Sequence, residues 1–395
     1  MADESEPTAA AEGFASGLTA AEQGVTAVVG AFGAVLLVSL LSGLLAPTYF
    51  LFLVGLAGMY ALLSLGLNAQ WGFTGLINFS VAAFFGIGAY GAALATASNS
   101  PVAGGFIPVY GLVAALVSAT VLALLIGIPT LRLRADYLAI ASLGLAEVVR
   151  RIVLNERQWT NGSNGVRGVP GFFDGWPLLS TFPEAMPGLR VDVPLGPAIE
   201  LGTPFYQMFL NVLLVGAFVV VSYVMLSRVH RSPWGRVLRT IRSDEDLARA
   251  LGKNTYRFKL QAFVLGSLVM ALAGVFYAHL NLFVSPGTLD PITTFYVWVA
   301  VILGGSGSTR GAVFGGVVVV VIREGPRALT GVEWIPIDAA PLRLVLIGTL
   351  IVLVMRVRPQ GILPPQRELI WPSAVDGAPK RPDTGVREAR GDDDD

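Results

Sequence analysis

Apolar runs of about 20 residues recur along this chain, and a strongly basic segment, Arg228 to Lys259, lies between two of them. A helix of about 20 residues crosses the ~30 Å hydrocarbon core of a bilayer. Inside a bilayer every backbone polar group needs an internal partner, so spanning segments are helices or closed barrels. Hydrophobic residues make up 54% of the chain and charged residues only 14%. The sequence therefore predicts an all-α, polytopic bundle of transmembrane helices.

The basic segment contains one short predicted helix. Nine of its residues are basic and three are acidic, which indicates the cytoplasmic side of a membrane. Ser243 precedes the three acids, as an N-cap precedes carboxylates in a first turn, and Gly252 suits a left-handed C-terminal residue. A helix of about eight residues is marginal alone, so we expect it to dock on a partner protein. The candidate docking residues are Ser243, Asp244, Glu245, Asp246, Leu247, Ala248, Leu251 and Gly252.

The run from Leu67 to Ala95 is apolar but is interrupted by glycines and polar side chains. In a bilayer such a run needs protein or water around its freed backbone groups, and broken helices often mark the substrate route of a transporter. Glycines also allow close helix packing, which is the role that we favour for Gly86, Gly88 and Gly91. The candidate route residues of this run are Asn68, Thr74, Asn78 and Ser80.

A second glycine-rich break, Gly304 to Gly311, separates two further apolar runs. It lacks the GxxxxGK[ST] pattern of a phosphate-binding loop, so we interpret it as an interruption between two short helices, with Arg310 at the cytoplasmic edge. It mirrors the first break, as an internal repeat in a transporter would. The candidate route residues here are Gly304, Gly305, Ser306 and Gly307.

Three ionisable residues lie within the predicted helix Tyr137 to Asn155. Glu147 precedes Arg150 and Arg151 by three and four residues, so all three share one helical face. An ionisable group inside a span is a functional-site hypothesis by default. A purely structural ion pair near the outer interface is the alternative, and the sequence leaves both open.

The chain offers little for metal or redox chemistry. It has no cysteine and two histidines, which excludes disulfides and argues against a multi-histidine metal site. We therefore expect no metal and no cofactor. The long loop from Glu156 to Pro204 is poor in basic residues and rich in glycine and proline, which favours ordered turns on the outer face.

Several motifs together resemble one family. The stretch DEDLARALGKNTYRFKLQAFVLGSLVMALAG, the Gly-rich run after Leu67, the break Gly-Gly-Ser-Gly-Ser from Gly304 and the late RPQGILP are similar to permease subunits of ATP-binding-cassette importers. Among these, the LivM-type permeases of branched-chain amino acid importers match best, over roughly residues 50 to 365. The two tails depart from the family.

The resemblance implies a permease that has no ATPase motif and is not itself an enzyme. It implies two ATP-binding-cassette ATPases as partners, into whose grooves the short helix docks, a second LivH-like permease and an external substrate-binding protein. The segment Thr160 to Pro170 would lie near the external mouth, with Asn161, Ser163 and Asn164 as candidate mouth residues. The implied substrate is a branched-chain amino acid, although related permeases carry amides or urea.

Topology follows from the basic clusters. Ten spans, beginning with Val25 to Ala46 and ending with Pro341 to Met355, put every basic cluster on one side together with both termini. We thus expect an acidic, disordered tail at 1–24, a permease domain at 25–358 in a prokaryotic cell membrane, and a charged, Pro-rich tail at 359–395.

Two other classes of membrane protein fit the sequence less well than an ATP-driven permease. An ion-gradient-driven secondary transporter of small amino acids should carry acids in mid-span, and only Glu147 qualifies. A membrane enzyme would need a catalytic constellation, for which two histidines and no cysteine provide few residues.

Overall fold

The computed structural model of the chain describes residues 46–102, 104–176, 178–186, 188–191, 199–329 and 360–364, with single residues at 345, 348–349, 352 and 356. The predicted N-terminal tail, nearly all of the predicted first and last spans, and the predicted C-terminal tail apart from 360–364 lie outside the described residues. Within 360–364 the chain is ordered against the second break, because the N–H groups of Ile362 and Leu363 donate to the carbonyl oxygens of Leu303 and Gly304. The described part of the chain is mainly helical. Its α-helices are α1 (Pro47–Leu67), α2 (Val81–Thr96), α3 (Pro108–Thr130), α4 (Ala135–Asn155), α5 (Arg157–Thr160), α6 (Phe182–Ala185), α7 (Thr203–Arg231), α8 (Pro233–Ser243), α9 (Glu245–Ala250), α10 (Thr255–Asn281), α11 (Pro291–Gly304) and α12 (Thr309–Leu329).

Four of the described helical segments are long and apolar enough to cross a membrane. They are α3, α7, α10 and the segment Pro47–Gly72, in which a π-helical turn extends α1. Helices α2 and α11 are apolar but have only 16 and 14 residues, while α4 and α12 carry charges in 21 residues each. The all-α membrane fold is thus confirmed, and the number of about ten spans stays a prediction.

The centre of the bundle is packed through small residues. A Cβ atom on Gly66 of α1 would collide with the backbone of Gly266 on α10, and one on Gly88 of α2 would collide with Ala271. Helices that approach this closely gain dispersion contacts over their whole length, which replaces the hydrophobic effect as the packing force in lipid. The helix-packing role that we favoured is confirmed for Gly88 and for Gly91, which approaches the backbone of Ala115 on α3, whereas Gly86 lies against the side chain of Leu289.

Both predicted breaks are present. After α1 the chain forms the π-helical turn Asn68–Gly72, and after residue 74 it follows an irregular path to Ser80, directly before the start of α2. The second break, 305–308, separates α11 from α12. Of the two helices that flank it, α11 is short as expected, but α12 has 21 residues.

The long loop after α4 is ordered into short pieces. Strand β1 (Val166–Arg167) pairs antiparallel with β4 (Phe283–Val284), and β2 (Leu189–Val191) pairs with β3 (Ile199–Leu201). Helix α10 is joined to this loop because Nδ1 of His279 lies 2.8 Å from the carbonyl oxygen of Pro170. The sequence predicted turns here, and it gave no sign of the strand pairing.

Candidate functional site

Gln70 joins three parts of the bundle at the point where α1 loses its regular hydrogen bonds. It lies in the π-helical turn and is fully buried. Its Nε2 donates to the carbonyl oxygen of Phe263 at 2.8 Å and to Oγ of Ser267 at 3.1 Å, both on α10. Its Oε1 accepts from Nδ2 of Asn78 at 2.7 Å. Because the donor and the acceptor of this buried amide are both paired, Gln70 fixes the first break against α10.

The predicted route residues Thr74, Asn78 and Ser80 are buried and hydrogen-bonded within the chain. Oδ1 of Asn78 accepts from the backbone N–H of Ser80 at 2.8 Å and from the Ser80 hydroxyl. Nε1 of Trp298 on α11 donates to the carbonyl oxygen of Asn78 at 3.0 Å. The Thr74 hydroxyl donates to the carbonyl oxygen of Gln70. In this conformation these side chains hold the irregular segment before α2 in place.

The two breaks meet at Asn68. Its Oδ1 accepts from the backbone N–H of Gly307 at 2.7 Å, while its Nδ2 is buried and has no partner among the described residues. The second break turns through positive φ angles at Gly305 (109°) and Gly307 (90°), a conformation that favours glycine. A Cβ on Gly72 would collide with both Asn68 and Gly307. The predicted glycines are therefore needed for the turn and for the close approach of the two segments.

One arginine from the basic segment contacts both breaks. Nη1 of Arg242, on α8, donates to the carbonyl oxygen of Gly72, and its Nη2 donates to Oγ of Ser306 at 2.9 Å. Burial of the guanidinium lowers the pKa of Arg242, although an arginine stays protonated in proteins. If α8 moves, the two irregular segments must therefore move with it, or these two hydrogen bonds are lost.

The short helix predicted in the basic segment is present as α9, with a different N-cap. The prediction that Ser243 caps it is wrong, because Ser243 ends α8 and its hydroxyl donates to the carbonyl oxygen of Thr240. The cap is Asp244, whose Oδ1 accepts from the N–H of Leu247 at 3.0 Å. A carboxylate at this position also interacts favourably with the positive end of the helix, which a hydroxyl does not.

The C-terminal end of α9 is closed as predicted. Gly252 has a φ of +74°, its N–H donates to the carbonyl oxygen of Arg249 at 2.9 Å, and Lys253 N–H donates to that of Ala248 at 3.1 Å. These two bonds define a Schellman motif. Leu247 and Leu251 remain 50% and 64% exposed. The helix therefore presents a small apolar surface that no described part of the chain covers.

Glu245 anchors α9 to the start of α10. It pairs with Lys259 and, at 2.8 Å, with Arg249. Burial raises the pKa of the Glu245 carboxyl, but the hydrogen bonds and positive charges of these partners outweigh burial and leave the pKa below its ordinary value. Arg249 also pairs with Asp246 at 3.1 Å. Ala248 is buried against the chain itself, so of the predicted docking residues it is the one that faces inward.

The three ionisable residues of α4 form a cluster, as their spacing predicts. Glu147 accepts from Nε of Arg150 at 2.7 Å, from its Nη2 at 3.1 Å and from Nε of Arg151 at 2.6 Å. The Arg151 side chain is 63% exposed. One acid thus orients two arginines and leaves the cluster with a net positive charge.

The predicted mouth residues lie in one turn of the long loop. Asn161 has a φ of +62°, and its Nδ2 donates to the carbonyl oxygen of Gly165 at 2.9 Å. Ser163 and Asn164 are exposed beside it. Elsewhere among the described residues, no group of three or more His, Asp or Glu side chains could hold a metal ion.

Comparison with known proteins identifies the family. A family model described as "Branched-chain amino acid transport system / permease component" matches residues 49–355. The chain belongs to this family.

The relatives carry matching names. The chain is 33% identical, over 324 residues, to the high-affinity branched-chain amino acid transport system permease protein LivM of Escherichia coli K12. The aligned region covers 78% of this chain and 68% of that relative. It is 25% identical over 356 residues to the probable LivM of Methanocaldococcus jannaschii, and the aligned region covers 80% of this chain and 93% of the relative. It is 26% identical over 317 residues to LivH of Escherichia coli K12, with 78% and 92% coverage. No solved structure matches the chain at a significant level.

Membership in this family makes the chain a multi-pass transport permease rather than a catalyst. Sequence reasoning missed three residues that organise the permease: Gln70, Arg242 and Trp298. Gln70 was visible as a polar residue in an apolar run. Arg242 lies 170 residues from Gly72 and 64 from Ser306, and Trp298 lies 220 residues from Asn78, so no local pattern could have identified these contacts.

Helix α8 of the permease was also missed, although the sequence does carry a signal for it. Ser232 caps the helix, its Oγ accepting from Gly235 N–H at 3.4 Å, and Pro233 occupies the first helical position. Leu238 and Ile241 are spaced by three and are both buried. The many arginines around them made the segment look like a basic loop.

Proposed function

We propose that this permease is the membrane-spanning subunit of an ATP-driven importer for branched-chain amino acids in a prokaryotic cell membrane. Two ATP-binding-cassette ATPases bind on the cytoplasmic side, a second, LivH-like permease completes the route, and an external binding protein delivers the substrate. Both termini and the α8–α9 segment lie in the cytoplasm. The LivM and LivH relatives are named as branched-chain amino acid permeases, which supports the substrate class.

Helix α9 supports this function most directly. It is a capped, six-residue helix with two exposed leucines on a basic segment between two membrane-length helices, α7 and α10. A helix this short is unstable in isolation, yet here Asp244, Glu245 and the Gly252 closure stabilise it at both ends. Such a surface suits docking in a groove of a partner protein.

A mechanism follows from the neighbours of α9. ATP binding moves the docked α9, and α8 moves with it because only Asp244 separates the two helices. Arg242 moves with α8, and through its hydrogen bonds to Gly72 and Ser306 it displaces the two breaks or lets them separate. The contact between Asn68 and Gly307 then changes. Parting of the breaks would open the route to the cytoplasm and expose the unpaired Nδ2 of Asn68. The exposed Ser163 and Asn164 on the other side contribute to the mouth on which the binding protein docks.

Stepwise reconstitution in proteoliposomes tests this function. The permease alone, and the permease with its ATPases, should not take up leucine. Addition of the second permease and the binding protein should give uptake that depends on ATP. Leucine uptake by the permease alone under an imposed ion gradient would instead support a secondary transporter.

A further inference from the structure

Helices α7 and α12 enclose a cavity of about 510 Å³ between them. Seven side chains line this cavity, and only two of them carry polar atoms. Val220 is 60% exposed and Arg310 is exposed, so the cavity is open at the surface of the described part of the chain. We call it the α7–α12 groove, and its lining residues are Val219, Val220, Tyr223, Arg310, Val313, Phe314 and Val317.

The two polar side chains lie at one end of the groove. His230, in the last turn of α7, packs edge-on against Phe73 beside the first break, with ring centroids 4.4 Å apart. The second break contacts the first and directly precedes α12. The last turn of α7 and the first turn of α12 are therefore at the same end of the bundle. Tyr223 and Arg310 point to this end of the groove, and the apolar lining residues extend away from it along both helices.

Tyr223 and Arg310 have unused hydrogen-bonding capacity. Neither side chain forms a hydrogen bond or an ion pair within the described part of the chain. A guanidinium is permanently charged, and at the end of a membrane helix it attracts the anionic groups of the bilayer surface. Tyrosine is enriched at the same level, where its ring lies in the apolar layer and its hydroxyl in the polar one. Helix α7 ends here in three further basic residues, Arg228, His230 and Arg231.

The groove thus has the two parts that a phospholipid needs. From Arg310 to Val317 it extends about 10 Å along α12, which is within the ~15 Å that one leaflet contributes to the hydrocarbon core. Basic pockets between membrane helices on the cytoplasmic side bind anionic head groups. A soluble anion would leave the apolar part of the groove unfilled, and a zwitterionic lipid would leave the charge of Arg310 uncompensated.

We propose that the α7–α12 groove binds an anionic phospholipid, with the head group at Arg310 and Tyr223 and one acyl chain along the valines and Phe314. This site does not depend on which substrate the permease transports. The positive charge selects the lipid, because each basic residue near the membrane surface favours anionic over neutral lipid by about fivefold in affinity.

Site-specific fluorescence quenching tests the site. The chain has no cysteine, so Val220→Cys can carry a single bimane label at the exposed edge of the groove. The full-length permease, with the subunits that co-purify with it, is placed in phosphatidylcholine nanodiscs. These contain increasing fractions of phosphatidylglycerol or phosphatidylcholine with brominated acyl chains. Half-maximal quenching should need about fivefold less brominated phosphatidylglycerol than brominated phosphatidylcholine.

A second label and three variants serve as controls. Val121→Cys on α3, where the native side chain is 51% exposed, does not line the groove, and both lipids should quench a label there equally. In the Val220→Cys chain, Arg310→Gln should remove the preference for phosphatidylglycerol, whereas Arg310→Lys, which retains the charge, should keep most of it. Arg257→Gln replaces an exposed arginine in the first turn of α10, outside the groove, and should leave the preference unchanged.

The results distinguish the possible occupants of the groove. A preference that Arg310→Gln removes and Arg257→Gln retains would support the proposal. Equal quenching by both lipids at Val220→Cys would indicate ordinary bilayer contact and overturn it. Quenching by neither lipid would show that protein covers the groove, either the predicted last span or a second permease, and would also overturn it. Loss of the preference on addition of inorganic phosphate would indicate a site for a soluble anion, which again contradicts the proposal.

Discussion

At the scale of single residues, side-chain amides replace the backbone hydrogen bonds that the helix breaks give up. Gln70 accepts from Asn78 and donates to α10, and Asn68 accepts from Gly307 across the two breaks. In a low-dielectric interior an unpaired polar group is costly, so each of these amides stabilises an irregular segment that lipid could not tolerate. Among the described residues Nδ2 of Asn68 has no partner, which makes Asn68 the route candidate with hydrogen-bonding capacity to spare.

Gln70→Ala should destabilise the permease. The substitution leaves Asn78 Nδ2 and the Phe263 carbonyl oxygen without their bonds to Gln70, and an unsatisfied buried group costs about 1–3 kcal/mol. We expect the free energy of unfolding in mixed micelles to fall by that amount. Gln158→Ala, an exposed glutamine on α5, is the matched control. Equal stability of Gln70→Ala and the wild type would show that the network does not stabilise the first break.

At the scale of elements, α8 and α9 act as one unit with two different surfaces. Helix α8 buries Leu238 and Ile241 against the bundle and extends Arg242 to the breaks, whereas α9 exposes Leu247 and Leu251. Packing against the bundle fixes the inward surface of α8. No described part of the chain covers the outward surface of Leu247 and Leu251. The unit is therefore suited to relay a displacement from outside the membrane to the place where the breaks meet.

Arg242→Ala should uncouple ATP hydrolysis from uptake. Without the guanidinium, Gly72 and Ser306 lose their shared donor, so motion of α8 no longer reaches the breaks. In the reconstituted complex we expect at least about a tenfold fall in leucine transported per ATP hydrolysed, with ATPase binding retained. Arg242→Lys should not rescue, because an ammonium lacks the planar fork that spans two acceptors.

The matched control for Arg242 is Arg236→Ala, on the same helix and exposed, which should transport like the wild type. Ser306→Ala removes one of the two acceptors and should show an intermediate defect. A double variant of Arg242 and Ser306 should be no worse than Arg242→Ala alone. Additive defects would indicate that the two residues act independently.

Gly252→Pro should prevent ATPase docking while the bundle stays folded. Proline fixes φ near −65°, whereas Gly252 has a φ of +74° and donates its N–H to Arg249. We expect pull-down of the ATPases to fall about tenfold or more. Gly252→Asn should retain docking, since asparagine tolerates the left-handed region. Normal pull-down and transport by Gly252→Pro would contradict the docking role of α9.

At the scale of the whole molecule, two distant parts of the chain converge on one site. The first break follows α1 and the second follows α11, yet Asn68 and Gly307 are hydrogen-bonded across 239 positions of sequence. Glycine packing of α1 and α2 on α10 holds the surrounding helices close together. The two broken segments thus lie beside α8, near the start of α10, and the ordered loop of β1 and β4 lies at the other end of α10.

Cysteine labelling tests the orientation of this arrangement. The native chain has no cysteine, so single cysteines report without background. Ser163→Cys should react with a membrane-impermeant thiol reagent in intact cells, and Ser243→Cys should react only after permeabilisation. Both positions are exposed in the structure, so accessibility to water differs only through the membrane. The opposite labelling pattern would reverse the topology.

Local sequence patterns were sufficient to predict the class of the fold and three local features of the structure. The length of the apolar runs predicted the helices. The three acids that precede Leu247, together with Gly252, predicted α9, and the spacing of Glu147, Arg150 and Arg151 predicted their cluster. Each of these features depends on residues within a few positions of one another. The contact between the two breaks and the bridge that Arg242 forms between them depend on how the helices pack, and no local pattern predicts them. The tertiary structure also showed that Asn78 pairs with Gln70. Most of these contacts join residues that are far apart in the chain, where the periodicity of a helix carries no information.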